Sequence, residues 1–300
     1  MAEFRGAFTA LITPMTDSGE VDYDGFRRLI EFQIGEGIDG IVPLGTTGET
    51  PTLTDDEEEK LVGVAVEAVK GRVPVVVGTG SNDTRYMVKY TERAKRLGAD
   101  AAMVVTPYYN KPNDEGLLRH FEAAAAIGIP VIVYNIGSRT GRNIQTSLLE
   151  KISRLPNIVG VKEASGDIGQ MGDVLREVAA PRRTEGKVFT VMSGDDAMTL
   201  PLAALGGDGI ISVIANIVPA KVKALASACL AGDFGKARQM HFELLPLIKA
   251  IFIETNPVPV KQAAAWLGLP SGPTRLPLGK LSQANEAVLK KTMADMGLLK

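Results

Sequence analysis

Residues 101–135 read AAMVVTPYYNKPNDEGLLRHFEAAAAIGIPVIVYN, and this stretch contains the unit that decides the fold. Two apolar runs with β-branched residues, at 101–108 and 130–136, are typical of strands that are covered on both faces. Between them, residues 114–128 have helical spacing and end at Gly128, where a helix is expected to stop. The stretch therefore predicts a strand, a helix and a second strand.

The same unit recurs along most of the chain. Six more strands are predicted, at residues 6–14, 40–46, 74–80, 158–164, 189–194 and 209–216. Helices are predicted between them, at residues 24–35, 54–71, 83–98, 147–155, 166–180 and 196–206. Alternating strands and helices indicate right-handed crossovers and a parallel sheet. Eight units within about 220 residues favour a closed (β/α)8 barrel, a fold of typically ~250 residues.

An open sheet that binds a nucleotide is the alternative to the barrel. It requires a G-x-G-x-x-G turn after the first strand, but that strand ends in Thr13-Pro14-Met15. After residue 216 the pattern predicts only helices, at 219–232, 233–255, 259–267 and 281–296. We therefore predict a catalytic (β/α)8 barrel over residues 1–232 and an appended helical bundle over residues 233–300.

Composition excludes several classes of protein. The net charge is -2 and only 23% of residues are charged, so a nucleic-acid surface is not indicated. No run of 18 apolar residues occurs, so no membrane span is expected. The single cysteine, Cys229, excludes an internal disulfide, and residues 1–5 do not resemble a signal peptide. We expect a cytoplasmic location.

Lys162 is a charged residue within the apolar run IVGV at 158–161. Inside a barrel, desolvation would lower the pKa of its amine. The resulting neutral amine could attack a carbonyl carbon. A buried acid as partner, or an ammonium group that reaches the barrel rim, would explain the same position. Position alone leaves both interpretations open.

Further polar residues follow other predicted strands, at the end where barrel enzymes carry catalysis. Tyr134 could transfer protons as a phenol, or simply pack. Thr46 and Thr47 lie in a glycine-flanked turn that could hold a carboxylate, or cap the turn. Arg139 could bind an anion in bidentate fashion, or form a surface ion pair.

Metal chemistry is disfavoured by the residues available. The two histidines, His120 and His241, fall in predicted helices, where a surface or core role is more common. Asp195 or Asp196 is expected to cap the helix that follows. We therefore expect a reaction that needs no metal and no cofactor.

Five motifs together resemble the dihydrodipicolinate synthase and N-acetylneuraminate lyase family of class I aldolase-like barrels. They are GTTGE at 45–49, TPYYNKP at 106–112, YN at 134–135, GVKEA at 160–164 and SGDD at 193–196. The resemblance runs from about residue 6 to the C-terminus. It implies that Lys162 forms a Schiff base with pyruvate. It also implies that Tyr134 transfers protons, linked to Thr46, and that Tyr109 reaches into the site of a neighbouring subunit.

The resemblance also implies how substrates are bound. Thr47, with the backbone of Thr46, would bind the pyruvate carboxylate, and Gly194 and Ile211 would line the pocket through their backbone. A role for Tyr109 across an interface requires at least a dimer, and the family commonly forms tetramers. We expect no nucleic-acid or membrane partner.

The second substrate implied by the resemblance is L-aspartate 4-semialdehyde, whose carboxylate Arg139 would bind, giving 4-hydroxy-tetrahydrodipicolinate for lysine biosynthesis. The run ETNPVPVK at 254–261 is also synthase-like. Gly137 departs from the usual proline and leaves a rival open, a pyruvate-dependent aldolase for a 2-oxo sugar acid, N-acetylneuraminate or 4-hydroxy-2-oxoglutarate. A non-catalytic metabolite sensor is a third possibility. The presence of both Lys162 and Tyr134 argues against it.

Some members of the family bind lysine as an inhibitor at a dimer interface. The matching positions here are Thr50, Asp55, Glu58, Asn82, Tyr86 and Tyr108. Sensitive members have a carboxylate in place of Tyr86 and histidines in place of Asp55 and Glu58. Loss of the carboxylate removes a charged hydrogen bond worth roughly 1.5–3 kcal/mol. We expect weak or absent inhibition by lysine.

Overall fold

The computed structural model describes residues 4–299, in which eight parallel strands form a ring. The strands are β1 Gly6–Ala10, β2 Gly40–Val42, β3 Val76–Gly78, β4 Ala101–Val105, β5 Val131–Asn135, β6 Ile158–Glu163, β7 Thr190–Ser193 and β8 Gly209–Ser212. All eight predicted strands are confirmed, although each is shorter than predicted. All eight end before the predicted carboxyl end, because the last predicted residues lie in the loops that follow the strands.

The order of the strands around the sheet is β2-β1-β8-β7-β6-β5-β4-β3. The ring is completed between β2 and β3 by two hydrogen bonds. The N–H of Ile41 donates to the carbonyl of Pro74 (3.0 Å), and the N–H of Gly78 donates to the carbonyl of Pro43 (3.0 Å). The predicted (β/α)8 barrel is thus confirmed, and the open sheet is excluded.

Helices surround the ring and continue beyond it. They are α1 Tyr23–Gly35, α2 Asp55–Val69, α3 Thr84–Arg96, α4 Asp114–Ala126, α5 Gly137–Thr140, α6 Thr146–Ser153, α7 Ile168–Asp173, α8 Ala180–Thr184, α9 Thr199–Ala204, α10 Pro219–Leu230, α11 Phe234–Ile251, α12 Val258–Trp266 and α13 Gln283–Asp295. None of these helices, within residues 4–299, is long and apolar enough to cross a membrane.

Two helical segments differ from the sequence prediction. The predicted helix 166–180 is divided into α7, a π-helix over Val174–Ala179 and α8. Pro181, just after the π-helix, has no N–H with which to continue the regular i→i−4 pattern. The short helix α5 was not predicted at all, because four residues are too few to show a helical period.

The barrel interior is filled by side chains from alternate positions of the strands. They include Phe8, Val42, Met103, Tyr134, Met192 and Ile211, with Phe4 among the residues in contact with them. The larger apolar core lies outside the ring, and residues of α1, α2, α10, α11, α12 and α13 all belong to it. The C-terminal helices therefore share one core with the barrel. The division of the chain at residue 232 stays a prediction.

The first and last strands are joined by a buried amide. Asn216 accepts a hydrogen bond from the N–H of Ile12 (3.0 Å) through its side-chain oxygen. Its side-chain nitrogen donates to the carbonyls of Ala10 (2.8 Å) and Val213 (2.9 Å). Asn216 is fully buried, so water does not replace these bonds readily.

Replacement of this amide is expected to destabilise the barrel. In Asn216→Ala, three buried backbone groups lose their partner, and each such group costs about 1–3 kcal/mol. We expect the free energy of unfolding to fall by about 3 kcal/mol, measured from the urea midpoint with an unchanged slope. The control, Gln239→Ala, removes an exposed helical amide and should change stability by less than about 0.5 kcal/mol. Equal midpoints for the two variants would contradict the proposed role of Asn216.

Candidate active site

A cavity of about 420 Å³ opens at the carboxyl ends of the strands. Thr46, Tyr134 and Arg139 line it, together with Glu58 and Tyr86. Lys162 lies beside Tyr134, with its Nζ 4.2 Å from the centroid of the Tyr134 ring. Side chains from the loops after β2, β5 and the end of β6 therefore meet in one place.

Lys162 points into the barrel because its neighbours on β6 point outward. The side chain of Val161 packs in the apolar layer outside the ring, and the Glu163 carboxylate accepts a hydrogen bond from the Asn135 amide (3.0 Å). Lys162 is only 5% exposed. Burial lowers the pKa of its amine to about 7, opposed by the negative charge of Asp196 and assisted by the positive charge of Arg139. A large fraction of the amine is therefore neutral near pH 7.

Tyr134 pairs in register with Lys162 on the neighbouring strand. Burial raises the pKa of its phenol to about 12, and the charge of Arg139 and a hydrogen bond with the Thr46 side chain act in the opposite direction. The phenol is thus protonated at neutral pH and stands beside an amine that gains and loses a proton. This combination is suited to general acid–base chemistry.

Thr46 and Thr47 begin one 3-10 turn, Thr46–Gly48, in the loop after β2. The hydroxyl oxygen of Thr47 accepts a hydrogen bond from the side-chain amide of Asn256 (2.9 Å). Arg139 lies in α5 and donates from Nη2 to the backbone carbonyl of Asn256 (3.3 Å). Asn256 thus contacts both residues that were predicted to bind carboxylates.

Asn256 was missed as a site residue from the sequence. Its only signal in the sequence is its position in the synthase-like run ETNPVPVK. It lies 209 residues from Thr47 along the chain, and no local pattern predicts a contact at that separation.

Gly194 lies against the lysine, where a side chain would not fit. A Cβ at this position would be 3.0 Å from Cε of Lys162 and 2.7 Å from Cβ of Ala164. The N–H of Gly194 is used within the sheet, since it donates to the carbonyl of Glu163 (2.8 Å). Ile211 belongs to the barrel interior together with Tyr134. Both residues lie close to the site, and their roles in lining the pocket stay predictions.

Tyr109 is not brought into the cavity of its own chain. Its side chain is 90% exposed, and its backbone has a left-handed φ of 73°. Tyr108, the preceding residue, lines the cavity instead. Tyr109 therefore projects from the loop after β4 into solvent, and its role in a neighbouring subunit stays a prediction.

The sequence model of the Dihydrodipicolinate synthetase family matches residues 3–296. The chain belongs to this family. A 4-hydroxy-tetrahydrodipicolinate synthase from Protochlamydia amoebophila is 50% identical over 293 residues, 97% of this chain and 96% of that protein. One from Methanoculleus marisnigri is 48% identical over 296 residues, 98% of this chain and 100% of that protein. The crystal structure of a dihydrodipicolinate synthase from Aquifex aeolicus is similar with a TM-score of 0.94, 44% identity and coverage of 98% and 99%.

Asp196 is a buried acid of this family member that the sequence analysis did not place at the site. Asp195 caps the following 3-10 helix by accepting from the N–H of Ala197 (2.9 Å), as expected for one of the two. Asp196 instead accepts hydrogen bonds from the Ser212 hydroxyl (2.5 Å) and the N–H of Val213 (3.0 Å). Burial raises the pKa of its carboxyl to about 6. Asp196 is therefore largely ionised near pH 7 and adds negative charge near Lys162.

Among residues 4–299, no three histidine, cysteine, aspartate or glutamate side chains converge in a way that could hold a metal ion. His120 is buried between α3 and α4, with its ring Nδ1 2.9 Å from the Thr84 hydroxyl. That the reaction of this dihydrodipicolinate synthetase family member needs no metal stays a prediction.

The pH dependence of adduct formation is expected to report on the charges of Asp196 and Arg139 near Lys162. Only the neutral amine attacks a carbonyl, so trapping of pyruvate by borohydride should increase as the pH rises through about 7. Asp196→Asn removes a charge that favours the ammonium form and should move the midpoint to lower pH. Arg139→Met removes a charge that disfavours it and should move the midpoint to higher pH.

Rapid-quench mass spectrometry across the pH range measures the midpoints. Arg142→Met is the matched control, because Arg142 forms an ion pair with Asp114 outside the cavity and should leave the midpoint unchanged. Shifts of the same sign in the two site variants would contradict the electrostatic assignment.

Proposed function

We propose that this chain is a 4-hydroxy-tetrahydrodipicolinate synthase that condenses pyruvate with L-aspartate 4-semialdehyde through a Schiff base on Lys162. The observation that carries the proposal is the buried amine of Lys162, with a pKa of about 7, beside the protonated phenol of Tyr134. The names and about 48% identity of the curated relatives support the same reaction.

In the first step, the neutral amine of Lys162 attacks C2 of pyruvate. The carbinolamine then loses its hydroxyl as water, which requires a proton, and an iminium remains on the lysine. Tyr134 is proposed to deliver and accept these protons, and Thr46 to act as its partner in the relay. The protonated iminium is a cation in a buried site, and the carboxylate of Asp196 would stabilise its positive charge.

Thr47 is proposed to bind the pyruvate carboxylate. Its hydroxyl oxygen already accepts a hydrogen bond from Asn256 (2.9 Å), so its own proton is free to be donated to a ligand. The backbone N–H groups of the turn at Thr46 add donors to the same carboxylate. Gly194 and Ile211 are proposed to line this pocket through their backbone.

In the second half of the reaction, the iminium loses a proton from C3 of pyruvate and becomes an enamine. The enamine carbon attacks the aldehyde carbon of the second substrate. The new C–C bond forms as the C=O π bond opens, the aldehyde oxygen takes up the proton that C3 released, and the iminium forms again on Lys162. The amino group of that substrate then displaces Lys162 and closes the ring. Two substrates thus give one product and one water. Arg139 is proposed to bind the carboxylate of the aldehyde substrate.

Tyr109 is proposed to complete the proton relay in a partner subunit, so that the active form is at least a dimer and is expected to be a tetramer. Its exposed position supports this role, since it does not reach its own cavity. The proposal includes a cytoplasmic location and no metal, cofactor, nucleic-acid or membrane partner.

An aldolase that cleaves a 2-oxo sugar acid, N-acetylneuraminate or 4-hydroxy-2-oxoglutarate is the rival function. Gly137 in place of the usual proline is the feature in its favour. However, Gly137 is the first residue of α5, and Arg139 within the same helix is held by the carbonyl of Asn256 (3.3 Å). The arginine therefore keeps a defined position without the proline, which favours the synthase.

The test is a coupled assay of pyruvate with a panel of aldehydes. We expect aspartate semialdehyde to give the highest kcat/KM, and Arg139→Met to reduce it by about 10- to 100-fold, since a hydrogen bond to a charged group contributes about 1.5–3 kcal/mol. Borohydride with pyruvate alone should still modify Lys162 in this variant. The control is again Arg142→Met, with kcat/KM unchanged.

Two results would contradict the proposal. One is a reduced pyruvate adduct on a peptide that lacks Lys162. The other is cleavage of a sugar acid at a higher kcat/KM than the condensation. Absence of any adduct in the wild-type chain would favour a non-catalytic sensor.

Weak or absent inhibition by lysine is part of the proposal. Two carboxylates that replace histidines of sensitive members already have partners, because Asp55 pairs with Lys89 (2.6 Å) and Glu58 with the buried Arg93. Tyr86, in place of a carboxylate, is half exposed and stacks on Tyr90. A cationic ligand would therefore find no unpaired acid among these residues.

We expect millimolar lysine to leave more than half of the initial rate. The measurement is the coupled assay at substrate concentrations near KM, with a matched concentration of arginine as the control for ionic effects. Loss of half the activity with lysine alone would contradict the expectation.

A further inference from the structure

A buried ion pair lies beneath the turn that carries Thr46 and Thr47. The Nζ of Lys261, in α12, is 2.6 Å from the Oε1 of Glu49, and the two side chains are 2% and 0% exposed. Glu49 directly follows the turn Thr46–Gly48. The helices after the barrel therefore contact the turn at its far end through a charge pair that water does not reach.

Both members of the pair make further hydrogen bonds. Lys261 also donates to the carbonyls of Thr13 (3.0 Å) and Pro273 (2.7 Å), which uses all three of its protons. The second carboxylate oxygen of Glu49 accepts from the N–H of Arg275 (2.9 Å). The pair thus joins the loop after β1, the turn, α12 and the segment after α12.

The backbone of Glu49 shows why its side chain matters for the turn. Glu49 has a left-handed φ of 58°, which is uncommon for a residue with a side chain. Its N–H donates to the carbonyl of Thr46 (3.2 Å), and its carbonyl accepts from the N–H of Thr52 (3.0 Å). A residue in this conformation changes the direction of the chain. The contact of the Glu49 side chain with Lys261 therefore fixes the direction of the chain after the turn.

The same C-terminal segment holds the other side of the turn. Asn256 donates to the hydroxyl of Thr47 (2.9 Å), five residues before Lys261 in the chain. The contacts made by Asn256 and Lys261 hold the turn at Thr47 and at Glu49. A buried ion pair gives little net stability when compared with apolar residues of the same size. The ion pair is therefore better explained by the position that it gives to the turn than by a gain in the stability of the fold.

We propose that Glu49 and Lys261 are positioning residues that orient the Thr46–Thr47 turn toward the carboxylate of pyruvate. This inference rests on the proposed function, because it names the ligand of the turn. Neither residue touches the substrate. The C-terminal helices are, in this view, required for recognition of the first substrate as well as for covering the barrel.

The sharpest variant is Glu49→Asp, which keeps both charges and shortens one side chain by a methylene. Aspartate tolerates the left-handed conformation better than most residues. To keep the ion pair, the turn must move toward α12, which displaces the donors for the pyruvate carboxylate while Lys162, on β6, keeps its position. We expect KM for pyruvate to rise at least tenfold, with kcat at saturating pyruvate reduced less than threefold.

The second variant is the double substitution Glu49→Gln and Lys261→Met, which removes both charges. It is compared with Lys261→Met alone, which leaves Glu49 buried and unpaired. We expect the double variant to have the higher Tm of the two, because no unpaired charge remains. Its KM for pyruvate should nevertheless stay at least tenfold above that of the wild type, since the link across the turn is absent.

The control is Lys223→Met, which breaks a partly exposed ion pair with Asp39 (2.5 Å) near the start of the second strand, away from the cavity. It should change KM for pyruvate less than twofold. Pyruvate dependence of borohydride trapping gives the same comparison without the aldehyde. A normal KM in Glu49→Asp and in the double variant, whatever their Tm, would overturn the inference. Absence of trapping in the wild-type chain would instead overturn the proposed function.

Discussion

The burial of one amine is the constraint on which the rest of the site depends. The pKa of Lys162 is about 7, against 10.5 in water. Relative to water, the protein therefore shifts the protonation equilibrium toward the neutral amine by roughly 5 kcal/mol. The unfolded chain would hold the proton, so this shift lowers the free energy of unfolding. The penalty is fully present below pH 7 and fades as the pH rises toward 10.5. The large apolar core shared by the barrel and the C-terminal helices offsets it.

The surroundings of the amine combine opposite charges. Asp196 favours the ammonium form, and Arg139 disfavours it, on top of a larger contribution from burial. Asp196 is held by hydrogen bonds from Ser212 and Val213, and Arg139 is held by Asn256. Because both charges have fixed positions, the protonation state of Lys162 is set by the scaffold. A reaction that passes from neutral amine to cationic iminium benefits from an arrangement that tolerates both forms.

Much of the fold could be predicted from the sequence, because it follows from local patterns. Apolar strands, and helices that stop at or next to a glycine, are properties of short stretches, and the structure has them. Lys162 could be identified because a charged residue in an apolar strand is anomalous. Asn256, Asp196 and the pair of Glu49 with Lys261 could not, because their contacts join residues far apart in the chain. Such contacts depend on how the loops fold over the barrel, and no period in the sequence records them.

One residue, Asn256, contacts both predicted carboxylate sites, Thr47 through its side chain and Arg139 through its backbone. Under the proposed roles, the carboxylate of the first substrate and that of the second are therefore both positioned relative to Asn256. The distance between the two carboxylate sites then limits the length of the aldehyde substrate that can react. An aldehyde with one carbon more or fewer between its carbonyl and its carboxylate would bind the arginine only with its reacting carbon displaced from the enamine.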